Sequence, residues 1–151
     1  MPRDQFVCSY RLRVRWAEVD MQRVVFNGHY LTYIDAANGE HWRMLGLGYP
    51  DGYVRENGSD VFLRRSTVEY LEPARYDEVL DVLARVTRVG RSSLTYGFEI
   101  HRVEPKPSDG PLVTAELVYV NVELATGKPA ALPAKLRARI EQAERVAPAQ
   151  S

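Results

Sequence analysis

Between positions 7 and 16 apolar and polar residues alternate. Cys8, Tyr10, Leu12, Val14 and Trp16 share one face, and Ser9, Arg11, Arg13 and Arg15 share the other. A period of two marks a strand with one buried face. Residues 17–27 then read as a loop that carries Glu18 and Asp20. From Gly28 the period lengthens: Tyr30, Tyr33, Ile34, Ala37, His41 and Met44 recur at three- and four-residue spacing, the stripe of an amphipathic helix. Asn27 is placed to cap that helix, and Gly46 and Gly48 to stop it. About 18 residues of helix would span roughly 27 Å. Gly39 in its middle costs about 1 kcal/mol against alanine, which points to a close backbone neighbour. Residues 47–60, rich in Gly, Asp and Asn, read as a loop.

The remainder keeps a β pattern. Val61–Tyr70 is a strand, Glu72 to Arg75 a turn, and Leu80, Val82, Ala84 and Val86 lie on one face of a long strand. Gly90-Arg91 marks a hairpin, after which Leu94, Tyr96, Phe98 and Ile100 alternate again. A loop at 105–111 precedes a last strand, Leu112 to Leu124, and a turn at 126–129. Leu136 and Ile140 predict a short terminal helix, with the tail 146–151 expected to fray. No repeat or linker interrupts the chain, so one domain over residues 1–151 is expected, with its core at about 7–145. The strands that follow the helix have no helices between them and should pair mainly antiparallel. One long helix against a five-stranded, largely antiparallel sheet makes an α+β fold. The far face and edges of that sheet call for cover, which oligomerisation can supply.

Composition narrows the functional classes. The chain has 151 residues, 20 Lys plus Arg against 20 Asp plus Glu, and one cysteine. A net charge of zero lacks the cationic footprint that nucleic acid needs. A lone cysteine forms no intrachain disulfide and fits a reducing compartment. The first residues show no apolar segment of a signal peptide, and no run approaches membrane-spanning length. A cytoplasmic location without membrane association is therefore expected. Cys8 on the apolar face reads as a core thiol, and His41 on the helix stripe as a satisfied core residue. The three histidines lack metal-ligand spacing, so no metal is expected. There is no G-x-S-x-G elbow, P-loop or dinucleotide fingerprint.

The remaining chemistry lies in residues 16–35. A strand ends, a loop presents Asp20, and a long helix begins seven residues later. A helix start offers free N–H groups and positive potential, suited to a developing oxyanion. This segment, Asp20-Met-Gln-Arg-Val24-Val25-Phe26-Asn27-Gly-His-Tyr30, resembles the 4-hydroxybenzoyl-CoA thioesterase family of the hotdog fold. The likeness continues through Val68 to Val79, Thr87 to Leu94, and Ala125 to Pro133, covering roughly residues 10–140 in family order.

The resemblance implies a hotdog fold, with the sheet wrapped around the central helix. It implies hydrolysis of an acyl thioester to a carboxylic acid and free CoA. In that reading Asp20 is nucleophile or general base, and the backbone N–H of Asn27 polarises the carbonyl. Phe26 and Tyr30 fall beside the substrate, and Arg91, Ser92 and Ser93 near the CoA phosphates. CoA is part of the substrate, so no cofactor is implied. It also implies a homodimer or homotetramer with the active site between subunits. Arg23 stands where the family often has glycine. Glu40, the second acid of the helix, is the reserve for a branch of hotdog thioesterases that uses a helix carboxylate. A silent acyl-CoA sensor is the alternative outside enzymes, although such a protein usually carries a DNA-binding extension. A hotdog enoyl-CoA hydratase would place a histidine five residues after the aspartate, where this chain has Val25.

Overall fold

A computed structural model describes residues 1–150. The elements run β1 (Cys8–Arg13), α1 (Asn27–Leu45), α2 (Asp51–Asn57), β2 (Ser59–Tyr70), β3 (Val79–Val89), β4 (Ser93–Glu104), β5 (Val113–Glu123), α3 (Ala134–Ala143) and β6 (Ala149–Gln150). Five strands form an antiparallel sheet in the order β1-β3-β4-β5-β2. The sheet wraps the long helix α1, the hotdog arrangement expected from the sequence.

The stripe on α1 explains the wrap. Tyr30, Tyr33, Ile34, Ala37 and His41 are all buried against the concave face, where Leu80, Val82, Ala84, Val86, Tyr96, Phe98 and Ile100 point inward. Burial of each large apolar side chain contributes roughly 1.5–3 kcal/mol. Tyr96 and His41 pair their polar atoms inside this core. Tyr96 Oη lies 2.8 Å from His41 Nδ1, and His41 Nε2 lies 3.1 Å from Glu144 Oε1, which also accepts the Val86 N–H. The satisfied-core reading of His41 therefore holds. Cys8 is buried, and desolvation, reinforced by the nearby Glu40 and Glu144 charges, pushes its thiol up to about 11.

Several expectations need correction. The alternation that carried β1 to Trp16 outlasts the strand. Val14 is still buried and gives its N–H to Glu78 O at 2.9 Å, but the chain then turns and leaves Trp16 76% exposed. Met44 likewise lies off the buried stripe. Asn27 is the first helical residue and not the cap; Phe26 holds the cap position, and no side chain caps the helix. Gly46 does end it, in the left-handed region at φ 67°, where glycine carries no Cβ penalty.

Residues 51–57, expected as loop, form α2. Seven residues are too few to be stable alone. Tertiary packing holds them: Tyr53 is buried against Trp42, with ring centroids 5.6 Å apart, and its hydroxyl donates to Asn121 Oδ1 at 2.9 Å. The tail is not frayed, since Ala149 and Gln150 pair in parallel with Arg88 and Val89; residue 151 lies outside the described residues. The far face of the sheet is also partly covered. The segment before β1 folds over β3, with Arg3 on the buried Asp81 at 2.8 Å and Gln5 Oε1 3.3 Å from buried Arg85.

Gly39 has no close backbone neighbour. A Cβ there would meet only the Arg43 guanidinium, at 3.7 Å, an ordinary contact. Gly39→Ala should therefore raise stability by about 1 kcal/mol and Tm by roughly 2–4 °C, read by thermal unfolding; a loss of stability would show that the helix needs glycine there.

Candidate active site

Asp20 sits on a tight hairpin that the local hydrogen bonds define. Asp20 N–H donates to Val24 O at 3.0 Å, and Arg23 N–H donates to Asp20 O at 2.9 Å. Val19 and Val25 pair beside them. This is a three-residue loop, a turn followed by one left-handed residue. Arg23 is that residue, at φ 66°. The resembled family's glycine at this place has a direct physical reason, because only glycine takes this conformation without steric cost. The turn also orients the carboxylate. Asp20 Oδ1 accepts the Gln22 N–H at 2.8 Å, an Asx turn, while Oδ2 has no hydrogen-bond partner among the described residues.

The loop is held against the helix by a second acid that sequence reasoning passed over. Glu18 is buried. Its Oε1 accepts the Tyr33 hydroxyl and the Arg15 N–H, both at 2.8 Å, and its Oε2 accepts Arg15 Nε at 3.1 Å. Its backbone oxygen accepts the Phe26 N–H at 3.0 Å. The only sequence signal was an acid three residues after Arg15; its partner Tyr33 comes fifteen residues later. Burial alone would raise the Glu18 carboxyl, but the bonds from Arg15 and Tyr33 outweigh it and hold it below its ordinary value.

The buried Ala74 completes the frame: its N–H donates to Tyr30 Oη at 3.0 Å and its oxygen accepts the Val25 N–H at 2.8 Å.

These ties leave a cleft of about 380 Å³ lined by Asp20, Gln22, Val24, Val25, Asn27, Tyr30 and the segment Tyr70 to Pro73. The N–H groups of Asn27 and Gly28 make no hydrogen bond to any described residue, and no side chain caps them. A half-buried carboxylate with one free oxygen thus shares a cleft with a helix start carrying two free donors. Phe26, at the cap position of α1, is half exposed and is not among the residues lining the cleft; its ring lies 3.0 Å from where a Cβ on Gly28 would stand. Tyr30 is buried, with its hydroxyl used by Ala74.

The other expected residues lie elsewhere. Arg91 and Ser92 lie in the β3–β4 turn and Ser93 opens β4. β3 runs eleven residues from the Asp20 end to that turn, so the two are separated by roughly 35 Å at strand rise. The turn is firmly held. Leu132 N–H and Arg137 Nη2 donate to Arg91 O at 2.8 and 3.1 Å, and Asn121 N–H donates to Ser92 O at 2.8 Å. Glu40 lies outside the cleft and pairs with Arg43 at 2.8 Å. Among the described residues no group of three or more His, Cys, Asp or Glu is placed to hold a metal ion, and no helix is long and apolar enough to cross a membrane.

Known proteins share this fold. The sequence model of the thioesterase superfamily matches residues 22–108. The acyl-CoA thioester hydrolase YbgC of Escherichia coli is 29% identical over 131 residues, which cover 87% of this chain and 93% of that one. A thioesterase from Thermus thermophilus, solved with coenzyme A and zinc, superposes with a TM-score of 0.77 at 25% identity, covering 95% of this chain and 98% of its own. A 1,4-dihydroxy-2-naphthoyl-CoA thioesterase from Synechocystis gives the same TM-score at 22% identity, with 88% and 94% covered, a likeness of fold. The chain belongs to the thioesterase superfamily and is a thioester hydrolase.

The Glu18 network yields a pH prediction. Because its folded pKa lies below the ordinary value of 4.5, its stabilisation is present above that pH and is lost as pH falls through the folded value. Glu18→Gln should therefore be clearly less stable than wild type at pH 7, and the gap should close at acid pH. Urea midpoints at pH 7, 5 and 3.5 test this; a gap that stays constant would remove Glu18 from the acid response.

Proposed function

We propose that this enzyme hydrolyses acyl-CoA thioesters, with Asp20 as the reacting carboxylate and the start of α1 as the oxyanion site. The observation that carries the reading is the shared cleft, which Asp20 and Asn27 both line at the start of α1, where the N–H groups of Asn27 and Gly28 are unbonded. A thioester carbonyl placed between them would receive two donors as its oxygen becomes negative. Asp20 either attacks the carbonyl carbon, forming an anhydride that water then opens, or takes a proton from the water that attacks. The C–S bond breaks to release CoA thiolate. A thiol ionises near pH 8.5, so the leaving group needs little acid help, which accords with a cleft that presents a carboxylate and backbone donors. The acyl-CoA thioester hydrolase of Escherichia coli supports CoA as the carrier.

The separation of Asp20 from Arg91 supports a shared site. β2 is an edge strand, with Phe62, Leu63 and Tyr70 about half exposed. Two copies paired antiparallel along β2 about a two-fold axis would each place their Arg91-to-Ser93 turn beside the other's Asp20 end. Arg91 is exposed, and its guanidinium would meet the CoA phosphates from the partner. We therefore read the enzyme as a homodimer at minimum, with two such dimers able to pack into a tetramer.

Asp20→Asn should lower kcat by at least about 10²-fold while leaving the circular dichroism spectrum and sedimentation unchanged. A folded variant that keeps wild-type turnover would sink the assignment, and an equal loss in Glu40→Gln alone would move it to the helix. Arg91→Ala should raise KM for acyl-CoA more than it lowers kcat, because an exposed phosphate contact binds ground and transition states alike. High salt should shrink the effect. Acyl-pantetheine, which lacks the nucleotide, should be indifferent; equal losses on both substrates would contradict the phosphate contact.

A further inference from the structure

Asp20 stands on a wall between two clefts. Beyond the one that holds the helix start lies a larger one, about 740 Å³, lined by Trp16, Val19, Asp20, Met21, Arg23 and Tyr76. The mechanism above makes no use of it. Its walls are apolar side chains held in solvent: Trp16 is 76% exposed, Met21 wholly so, and Tyr76 49%. Trp16 and Tyr76 brace each other edge to face, with centroids 5.1 Å apart. A cluster of large exposed apolar groups against a polar reacting group is the composition of a ligand site, and its volume suits a chain of several carbons.

Arg23 makes this cleft unlike a plain apolar slot. It occupies the left-handed turn position at φ 66°, where a side chain is strained and glycine is not. No ion pair among the described residues involves Arg23, so its guanidinium has no carboxylate partner there. An unpaired guanidinium held at a conformational cost on the rim of an apolar cleft matches an anion carried in by the ligand, which it can grip with two parallel bonds. The Asp20 carboxylate on the same wall repels negative charge near the reacting carbonyl, so the anion must lie at the far end of the ligand.

We propose that this cleft takes the acyl group and that Arg23 pairs with a carboxylate at its distal end, so that the substrate class is the CoA monothioesters of dicarboxylic acids. The proposal rests on Asp20 as the reacting carboxylate. Arg23 acts on binding, and Trp16, Met21 and Tyr76 cover the methylene chain between the two charges.

Hexanoyl-CoA and adipoyl-CoA have the same six-carbon acyl chain without and with a terminal carboxylate, and kcat/KM for both tests the idea on the full chain. Wild type should favour adipoyl-CoA by about tenfold or more. Arg23→Gly, which relaxes the turn and so retains the fold, should bring the ratio close to one. Arg23→Lys should keep part of the preference, and Arg23→Glu should invert it. Equal turnover of the two esters by wild type, or a preference that survives Arg23→Gly, overturns the proposal. If hexanoyl-CoA is hydrolysed in an Asp20-dependent way without any preference, only the anion site falls; if neither ester is hydrolysed, the acyl-CoA reading falls with it. A Met21→Lys variant that sediments as a smaller species with both esters' parameters unchanged would assign this face to a second copy of the chain, and would also overturn the proposal.

Discussion

The arrangement depends on a single packing constraint, the burial of one stripe of α1 against the concave face of the sheet. Tyr30, Tyr33, Ile34, Ala37 and His41 have almost no exposed surface, so the helix can neither rotate nor slide without opening voids in a close-packed interior. Its first turn is thereby fixed at one end of the sheet. A reactive group that must be placed to a fraction of an ångström needs such a rigid support.

From that fixed helix the loop is positioned by a short chain of polar bonds. Tyr33 belongs to the buried stripe, and its hydroxyl reaches Glu18; Glu18 in turn binds the backbone at Arg15 and Phe26. Asp20 follows two residues later on a hairpin whose own bonds set the carboxylate direction. Tyr30 does the same for the other wall through Ala74. Two tyrosines of the core stripe thus serve packing with their rings and the site with their hydroxyls, a division that burial of an amphipathic ring allows.

Much of this was legible in the chain. The long helix and the strands around it followed from a change of period, because side chains of a helix and a strand repeat at 3.6 and 2. Asp20 and the start of α1 were recognisable as neighbours because only seven residues separate Asp20 from Asn27 and because the order of residues resembled a known family. Trp16 was misplaced because alternation measures which way side chains point in an extended chain and does not record where the strand loses its partner. α2 was missed because its stability comes from Trp42 and Asn121, which are distant in sequence from Tyr53.

By itself the sequence determined the class of fold, the order of its elements, the paired acid and helix start, and the family. These are properties of local pattern, set by the residues within a few turns of each position. Tertiary structure alone decided which acid is buried and fully bonded and which lines the cleft with a free oxygen, since Glu18 and Asp20 are two residues apart in one loop and differ only in what surrounds them. It also decided that Arg23 occupies a left-handed turn beside an apolar cleft and that Arg91 stands at the opposite end of the sheet from Asp20. Burial, backbone conformation and distance through space arise when segments far apart in sequence pack together, and no spacing along the chain records them.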